Sequence, residues 1–88
     1  MSTFDQAAGE ASRVYGEAYD GGITAAAKGR RILVRKFPIG PVAAISPFNF
    51  PLNLSAHKIA PAFAVGCPVV LKPASKTPLS CLLLSEII

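Results

Sequence analysis

Ser46-Pro47-Phe48-Asn49-Phe50-Pro51-Leu52, with Val69-Val70-Leu71-Lys72-Pro73-Ala74-Ser75 downstream of it, is the part of the sequence that decides the fold. The short apolar run Val42 to Ser46 precedes the first stretch and reads as a strand of a buried parallel sheet. Pro51 suits the first turn of a helix, which the pattern carries to Val65, and Gly66 suits its stop. Val69 to Lys72 is a second apolar strand, and Pro78 to Ile88 begins a second helix. The order β-α-β-α is the start of a doubly wound α/β fold with a parallel sheet. In such sheets ligands lie beyond the carboxyl ends of the strands, where Asn49 and Lys72 both fall. Prolines and aromatics frame Asn49 on both sides, and proline restricts its own φ and its neighbour's backbone.

Working outward, Leu52, Ser55, Ile59 and Phe63 are expected to share the packed face of the first of these helices. Pro61 falls inside it and predicts a kink or shift. Toward the amino end, Phe4, Ala7, Ala8, Ala11, Val14, Tyr15 and Ala18 form a helical stripe. That stripe predicts a helix from Phe4 to Tyr19, capped by Ser2 or Thr3 and ended by Gly21-Gly22. Ile23 to Lys36 reads as two extended runs broken near Lys28-Gly29, the second a half-buried strand.

The apolar share is 51% and the charged share 16% in only 88 residues, more core-forming side chain than a domain this small can bury. The expectation is therefore a piece of a longer protein, interrupted within its last helix, where Leu82 to Ile88 has no stop signal. Net charge is +4, and every acid except Glu86 lies at or before Asp20. The cluster Lys28, Arg30, Arg31, Arg35 and Lys36 has two readings. It is either a patch for nucleic acid or an acidic partner, or a solvated strand edge guarded by cations. It lacks interleaved aromatics, so the nucleic-acid reading rests on charge alone. Cys67 and Cys81 form no Cys-x-x-Cys pair, and no metal site is expected. The residues through Asp20 are polar and acidic, unlike a signal peptide, and no apolar run reaches the roughly 18 residues of a membrane span. A reducing cytoplasm with both thiols free is the expectation.

Several of these motifs together resemble the aldehyde dehydrogenase superfamily. The resemblance rests on Phe37-Pro38-Ile39-Gly40-Pro41-Val42, Pro47 to Leu52, Ala60-Pro61-Ala62, Leu71 to Ser75 and Thr77-Pro78-Leu79, in that order. It covers about Lys36 to Ile88, while the earlier residues fit less distinctively. It implies three segments: an N-terminal helix over 1–22, a β-hairpin of an oligomerisation element over 23–38, and the first β-α-β-α portion of the NAD(P)-binding domain over 39–88. It also implies NAD- or NADP-dependent oxidation of an aldehyde to an acid through a cysteine thiohemiacetal, in a homo-oligomer. The nucleophilic cysteine, the general-base glutamate and the glycine turn over the pyrophosphate would lie outside these residues.

The resemblance assigns roles position by position, and each has a plainer alternative. Asn49 matches the asparagine that gives half of the oxyanion hole, a neutral donor aimed where charge develops on the aldehyde oxygen. Its alternative is a helix-start asparagine serving backbone amides. Lys72 matches the lysine that binds the adenosine ribose hydroxyls or a phosphate on them; otherwise it is a strand-end cation in solvent. Ser75 stands where many NAD-preferring relatives have glutamate, so it repels no 2′-phosphate, and NADP should be tolerated; otherwise it caps the next helix. Ser46 and Pro47 would line the adenosine site through backbone atoms. Phe48, where relatives often have tryptophan, either lines the substrate channel or packs.

His57 and Ser55 are two apart with no acid to orient the histidine, which argues against a hydrolase triad. Cys67 and Cys81 stand outside the family's nucleophile motif and read as core or loop thiols.

Overall fold

The computed structural model describes residues 2–88. Its elements are α1 (Thr3–Ala11), β1 (Glu17–Asp20), a 3-10 turn (Ala25–Ala27), β2 (Arg31–Val34), β3 (Val42–Ile45), α2 (Pro51–Ala64), β4 (Val69–Lys72) and α3 (Leu79–Ile87). β1 and β2 form an antiparallel ribbon, with Glu17 opposite Val34 and Asp20 opposite Arg31. β3 and β4 pair in parallel, with Val42 opposite Val69 and Ile45 opposite Lys72. The helix α2 connects them, so the expected β-α-β-α order is present at the start of an α/β fold.

Local chemistry explains most of the boundaries. Ser2 caps α1: its hydroxyl accepts from the Asp5 amide at 3.1 Å, and its own amide donates to Asp5 Oδ2 at 2.9 Å. This capping box satisfies two otherwise free donors. At the carboxyl end of α2, Gly66 takes φ +78° after Val65. Its amide donates to Phe63 O at 3.0 Å and the Cys67 amide to Ala62 O at 2.9 Å, which is a Schellman stop. Pro51 holds the first position of α2. The helix runs through Pro61 to Ala64 without interruption, although Pro61 offers no amide to the His57 carbonyl.

The first helix is shorter than its periodicity predicts. It ends at Ala11, and Glu17–Asp20 becomes β1 inside the stretch expected to be helical. Gly16 is the physical reason. A Cβ there would sit 1.8 Å from Val34 O, so only glycine allows the chain to pass this close to β2. Pairing with β2 outweighs the helical stripe of Val14, Tyr15 and Ala18, all of which lie beyond the helix.

The packed face of α2 is also displaced from the expected one. Ser55, Ala56, Ile59 and Ala60 are buried, whereas Leu52 and Phe63 are about half exposed. Ala60 lines the groove between α2 and α1. Phe63 turns toward α1 as well, where it lines the same groove with Phe4, Ala7 and Ala11. Burial of Ile59 alone contributes about 1.5–3 kcal/mol.

The molecule is extended, 61 × 24 × 21 Å, with a radius of gyration of 18.5 Å where about 12 Å is usual for this length. Its accessible surface is 6836 Å², against about 4,900 Å² for a compact monomer of this mass. Every residue of β1 and β2 is exposed, so the half-buried face expected for Ile32 and Val34 is not made within the chain. In the parallel pair Ala44 is buried, but Ile45 and Val70 on the opposite face are open. A parallel sheet is ordinarily covered on both faces. Among the described residues, no helix is long and apolar enough to cross a membrane.

Candidate functional site

The site is built where β3 and β4 end. The Ser46 amide, one residue past β3, donates to the Lys72 carbonyl at 3.1 Å and continues the parallel ladder. That bond ties the origin of the bend 47–50 to the last residue of β4, so the two stretches singled out in the sequence share one edge of the sheet. Across that edge Lys76 Nζ lies over the Phe48 ring, 5.1 Å from its centre. A cation over an aromatic face contributes about 0.5–1 kcal/mol at an exposed position.

Asn49 is exposed in the bend between β3 and α2. Phe50, not Asn49, is the N-cap of α2, and no side chain caps that terminus. The helix-start alternative for Asn49 is therefore not taken up, and its amide remains available to a ligand. Ser75 is likewise exposed, and α3 begins after Pro78 with no side-chain cap, so Ser75 does not serve α3. Lys72 is an exposed cation at the carboxyl end of β4. Pro47 and Phe48 are exposed in the same bend, whereas Ser46 is buried at 4%.

The donor set suits a nicotinamide dinucleotide. Two cations, Lys72 and Lys76, and the Ser75 hydroxyl stand at a sheet edge that also carries exposed main chain at Pro47 and Phe48. Cations and hydroxyls are what ribose hydroxyls and a phosphate require. No carboxylate lies between Gly21 and Ser85 to oppose a phosphate.

Beneath the bend lies a feature the sequence reading did not foresee. Ser55 Oγ is 2.8 Å from Ser46 Oγ, 2.8 Å from the Pro51 carbonyl oxygen and 2.9 Å from Cys81 Sγ. Cys81 Sγ is also 3.3 Å from the Pro51 carbonyl oxygen. Nothing in the order of residues marks this cluster, because Cys81 is 26 residues from Ser55 and reaches it only through the packing of α3 on α2. The Phe48–Lys76 contact was missed for the same reason.

Ser55 is 0% exposed and engaged within this cluster. His57 is exposed on another side of α2, along a groove of about 460 Å³ that α1 lines with Thr3, Gln6 and Glu10. Residues two apart on a helix do not face each other, so the pair has no hydrolytic geometry. That groove includes none of the candidate site residues. Both cysteines are free and buried, Cys67 at 5% and Cys81 at 2%. Among the described residues there is no group of three His, Cys, Asp or Glu placed to hold a metal.

The basic cluster is fully exposed, and its charges are partly matched within the chain. Arg31 lies 3.8 Å from Asp20 across the hairpin, and the Arg35 guanidinium sits 5.4 Å from the Phe37 ring centre. An ion pair this open to solvent stabilises little.

Comparison with known proteins gives a consistent picture. The family described as "Aldehyde dehydrogenase family" matches residues 1–88. A probable succinate-semialdehyde dehydrogenase [NADP(+)] of Sinorhizobium fredii is 57% identical over 70 residues, covering 80% of this chain and 13% of that protein. The crystal structure of aldehyde dehydrogenase 21 from Physcomitrella patens, in complex with the reaction product succinate, superposes with a TM-score of 0.92 at 64% identity. That match covers 97% of this chain and 18% of the other. A glyceraldehyde-3-phosphate dehydrogenase of Methanocaldococcus jannaschii complexed with NADP superposes with a TM-score of 0.85 at 47% identity, over 97% of this chain and 17% of the other. The chain thus spans less than a fifth of the length of these relatives.

Proposed function

The chain belongs to the aldehyde dehydrogenase family, and from that membership we propose that it forms part of an enzyme oxidising an aldehyde to a carboxylic acid with NAD or NADP. Its contribution is one oxyanion donor and one wall of the adenosine site. A bound nicotinamide cofactor supplies the hydride acceptor. Asn49 donates a hydrogen bond to the aldehyde oxygen as a thiolate adds to the carbonyl carbon, stabilising the charge that collects there. Asparagine suits the task because its amide donates without titrating. Lys72 bonds the adenosine ribose, and Ser75 leaves room beside it for a 2′-phosphate. Ser46, Pro47 and Phe48 border the same cofactor.

The observation that carries this reading is the Ser46 amide bond to the Lys72 carbonyl at 3.1 Å, which puts the asparagine bend and the lysine turn on one edge. The open second face of the parallel pair and the exposed ribbon are assigned to contact with the remainder of the enzyme and with further copies in a homo-oligomer. Both thiols of the chain are buried, so neither serves as the nucleophile. Purified alone, the 88 residues should therefore form no NADH or NADPH from any aldehyde. Free thiols fit a reducing cytoplasm.

The test is a steady-state assay of the full-length protein with a panel of short aldehydes and both cofactors. Reduction of NADP or NAD that depends on aldehyde is the expected result. A full-length, folded protein that reduces neither with any aldehyde, yet binds nucleic acid with a steep salt dependence, would replace this reading with that of a basic binding module.

A further inference from the structure

The side chains of Ser46, Ser55 and Cys81 have no part in the chemistry described above, yet they form the most deeply buried polar cluster among the described residues. Ser55 is 0% exposed, Cys81 2% and Ser46 4%. The three come from different places: Ser46 from the end of β3, Ser55 from the second turn of α2, and Cys81 from α3. Ser55 and Cys81 both reach the Pro51 carbonyl, the first of α2, and Ser46 meets Ser55.

Ser55 holds one hydroxyl proton for two oxygens, Ser46 Oγ and Pro51 O, each 2.8 Å away. When that proton goes to Pro51, the Ser46 hydroxyl donates to Ser55 in return, so both contacts are kept. With the Ser55 proton on Pro51, the Cys81 thiol, 2.9 Å away, can donate to Ser55 Oγ, and Pro51 O lies 3.3 Å from the same sulfur. Ser46 and Pro51 are the two ends of the bend 46–51, and Asn49 stands inside it. One buried hydroxyl therefore closes the bend across its base, and a thiol from a third element holds that hydroxyl in place. Among the described residues no side-chain hydrogen bond outside this cluster fastens the bend, since α2 has no side-chain cap.

We propose that Ser55 is a positioning residue: by clamping Ser46 to Pro51 it fixes the attitude of the Asn49 amide, and Cys81 orients Ser55. The inference rests on the oxyanion reading of Asn49. Its consequence is a loss of turnover without a matching loss of cofactor affinity. The backbone bond from Ser46 to Lys72 does not involve Ser55, so the lysine turn stays in place when the hydroxyl is removed.

The experiment is a double-mutant cycle in the full-length enzyme, with kcat referred to titrated active sites so that a smaller folded fraction does not register. Ser55→Ala lowers kcat about tenfold, the order of loss expected when a reacting group is displaced by a fraction of an ångström. The cofactor KM moves less than about twofold in the same variant. In an Asn49→Ala background Ser55→Ala has no further effect, because a residue acting through another is silent once that other is gone. Cys81→Ala lowers kcat in the same direction, and Cys81→Ser, which keeps a donor, restores it. The proposal is overturned if Ser55→Ala keeps kcat within twofold, or if it costs the same factor with and without Asn49. Should Asn49→Ala itself leave turnover intact, the oxyanion reading fails first, and the positioning role fails with it.

Discussion

Replacing Asn49 by alanine in the full-length enzyme separates an ordinary polar contact from a preorganised one. If the amide meets the aldehyde oxygen at an edge open to water, its net worth is about 1 kcal/mol, roughly fivefold in rate. If it is aimed in advance at the developing oxyanion in a site closed to water, its loss costs about 3–4 kcal/mol, or roughly a hundredfold to a thousandfold. The local structure favours the larger figure. Pro47 and Pro51 restrict the bend, Ser55 closes its base, and no helix terminus uses the amide. On the proposed reading, the remainder of the enzyme covers the open sheet face and the exposed bend and so excludes water from them. The assay is single-turnover hydride transfer at saturating cofactor, so that product release does not mask the chemical step. The expected outcome is at least a hundredfold slower chemistry with cofactor affinity unchanged within about twofold. A rate within fivefold of the parent would remove Asn49 from the oxyanion role.

Ser75→Glu should lower the kcat/KM ratio of NADP to NAD, because a carboxylate repels a 2′-phosphate; an unchanged ratio refutes this placement of the ribose. Lys72→Ala should weaken both cofactors and NADP more, since a phosphate gains more than hydroxyls from a cation, and an equal loss counts against it. Ser2→Ala should destabilise α1 by about 1 kcal/mol, seen as faster amide exchange over Thr3–Ala11. The Ser2 amide and then its hydroxyl hold the Asp5 carboxyl below its ordinary value of 3.8. The folded value is thus the lower one, so this stabilisation is present above pH 3.8 and is lost as pH falls through the folded value. An Asp5→Asn variant whose α1 exchange keeps the same acid dependence would contradict that. Gly16→Ala should open the hairpin, because its methyl would meet Val34 O; unchanged exchange protection over Arg31–Val34 would show that the ribbon can shift to admit it.

How far the sequence carries depends on how local the cause is. Pro51 at the start of α2 and Gly66 at its end punctuate the chain through their own backbone preferences, so β3, α2, β4 and α3 fall within about a residue of their expected bounds. The α1 boundary is not local. Val14, Tyr15 and Ala18 fit a helical stripe, and only the approach of β2 to Gly16 decides against it. The face of α2 turns on Ala56 and Ala60, which are buried although their small side chains carry weak periodic signal. At the site, the places of Asn49, Lys72 and Ser75 beyond the strand ends were readable because each stands in a short framed motif. Ser55, expected on the packed face of α2 and weighed against a hydrolase role, and Cys81, read as a core or loop thiol, become a pair through tertiary packing alone. The seat of Lys76 over Phe48 needed the two turns side by side.

The central claim is that the edge formed by β3 and β4 carries both the oxyanion donor and the adenosine site. A crystal structure of the full-length enzyme with NADP and an unreactive aldehyde analogue tests it directly. The expected result puts Asn49 Nδ2 about 3 Å from the analogue's carbonyl oxygen, with Lys72 Nζ at hydrogen-bond distance from the adenosine ribose or its 2′-phosphate. A cofactor bound at another edge, with Lys72 in solvent and Asn49 turned away from the analogue, would contradict it.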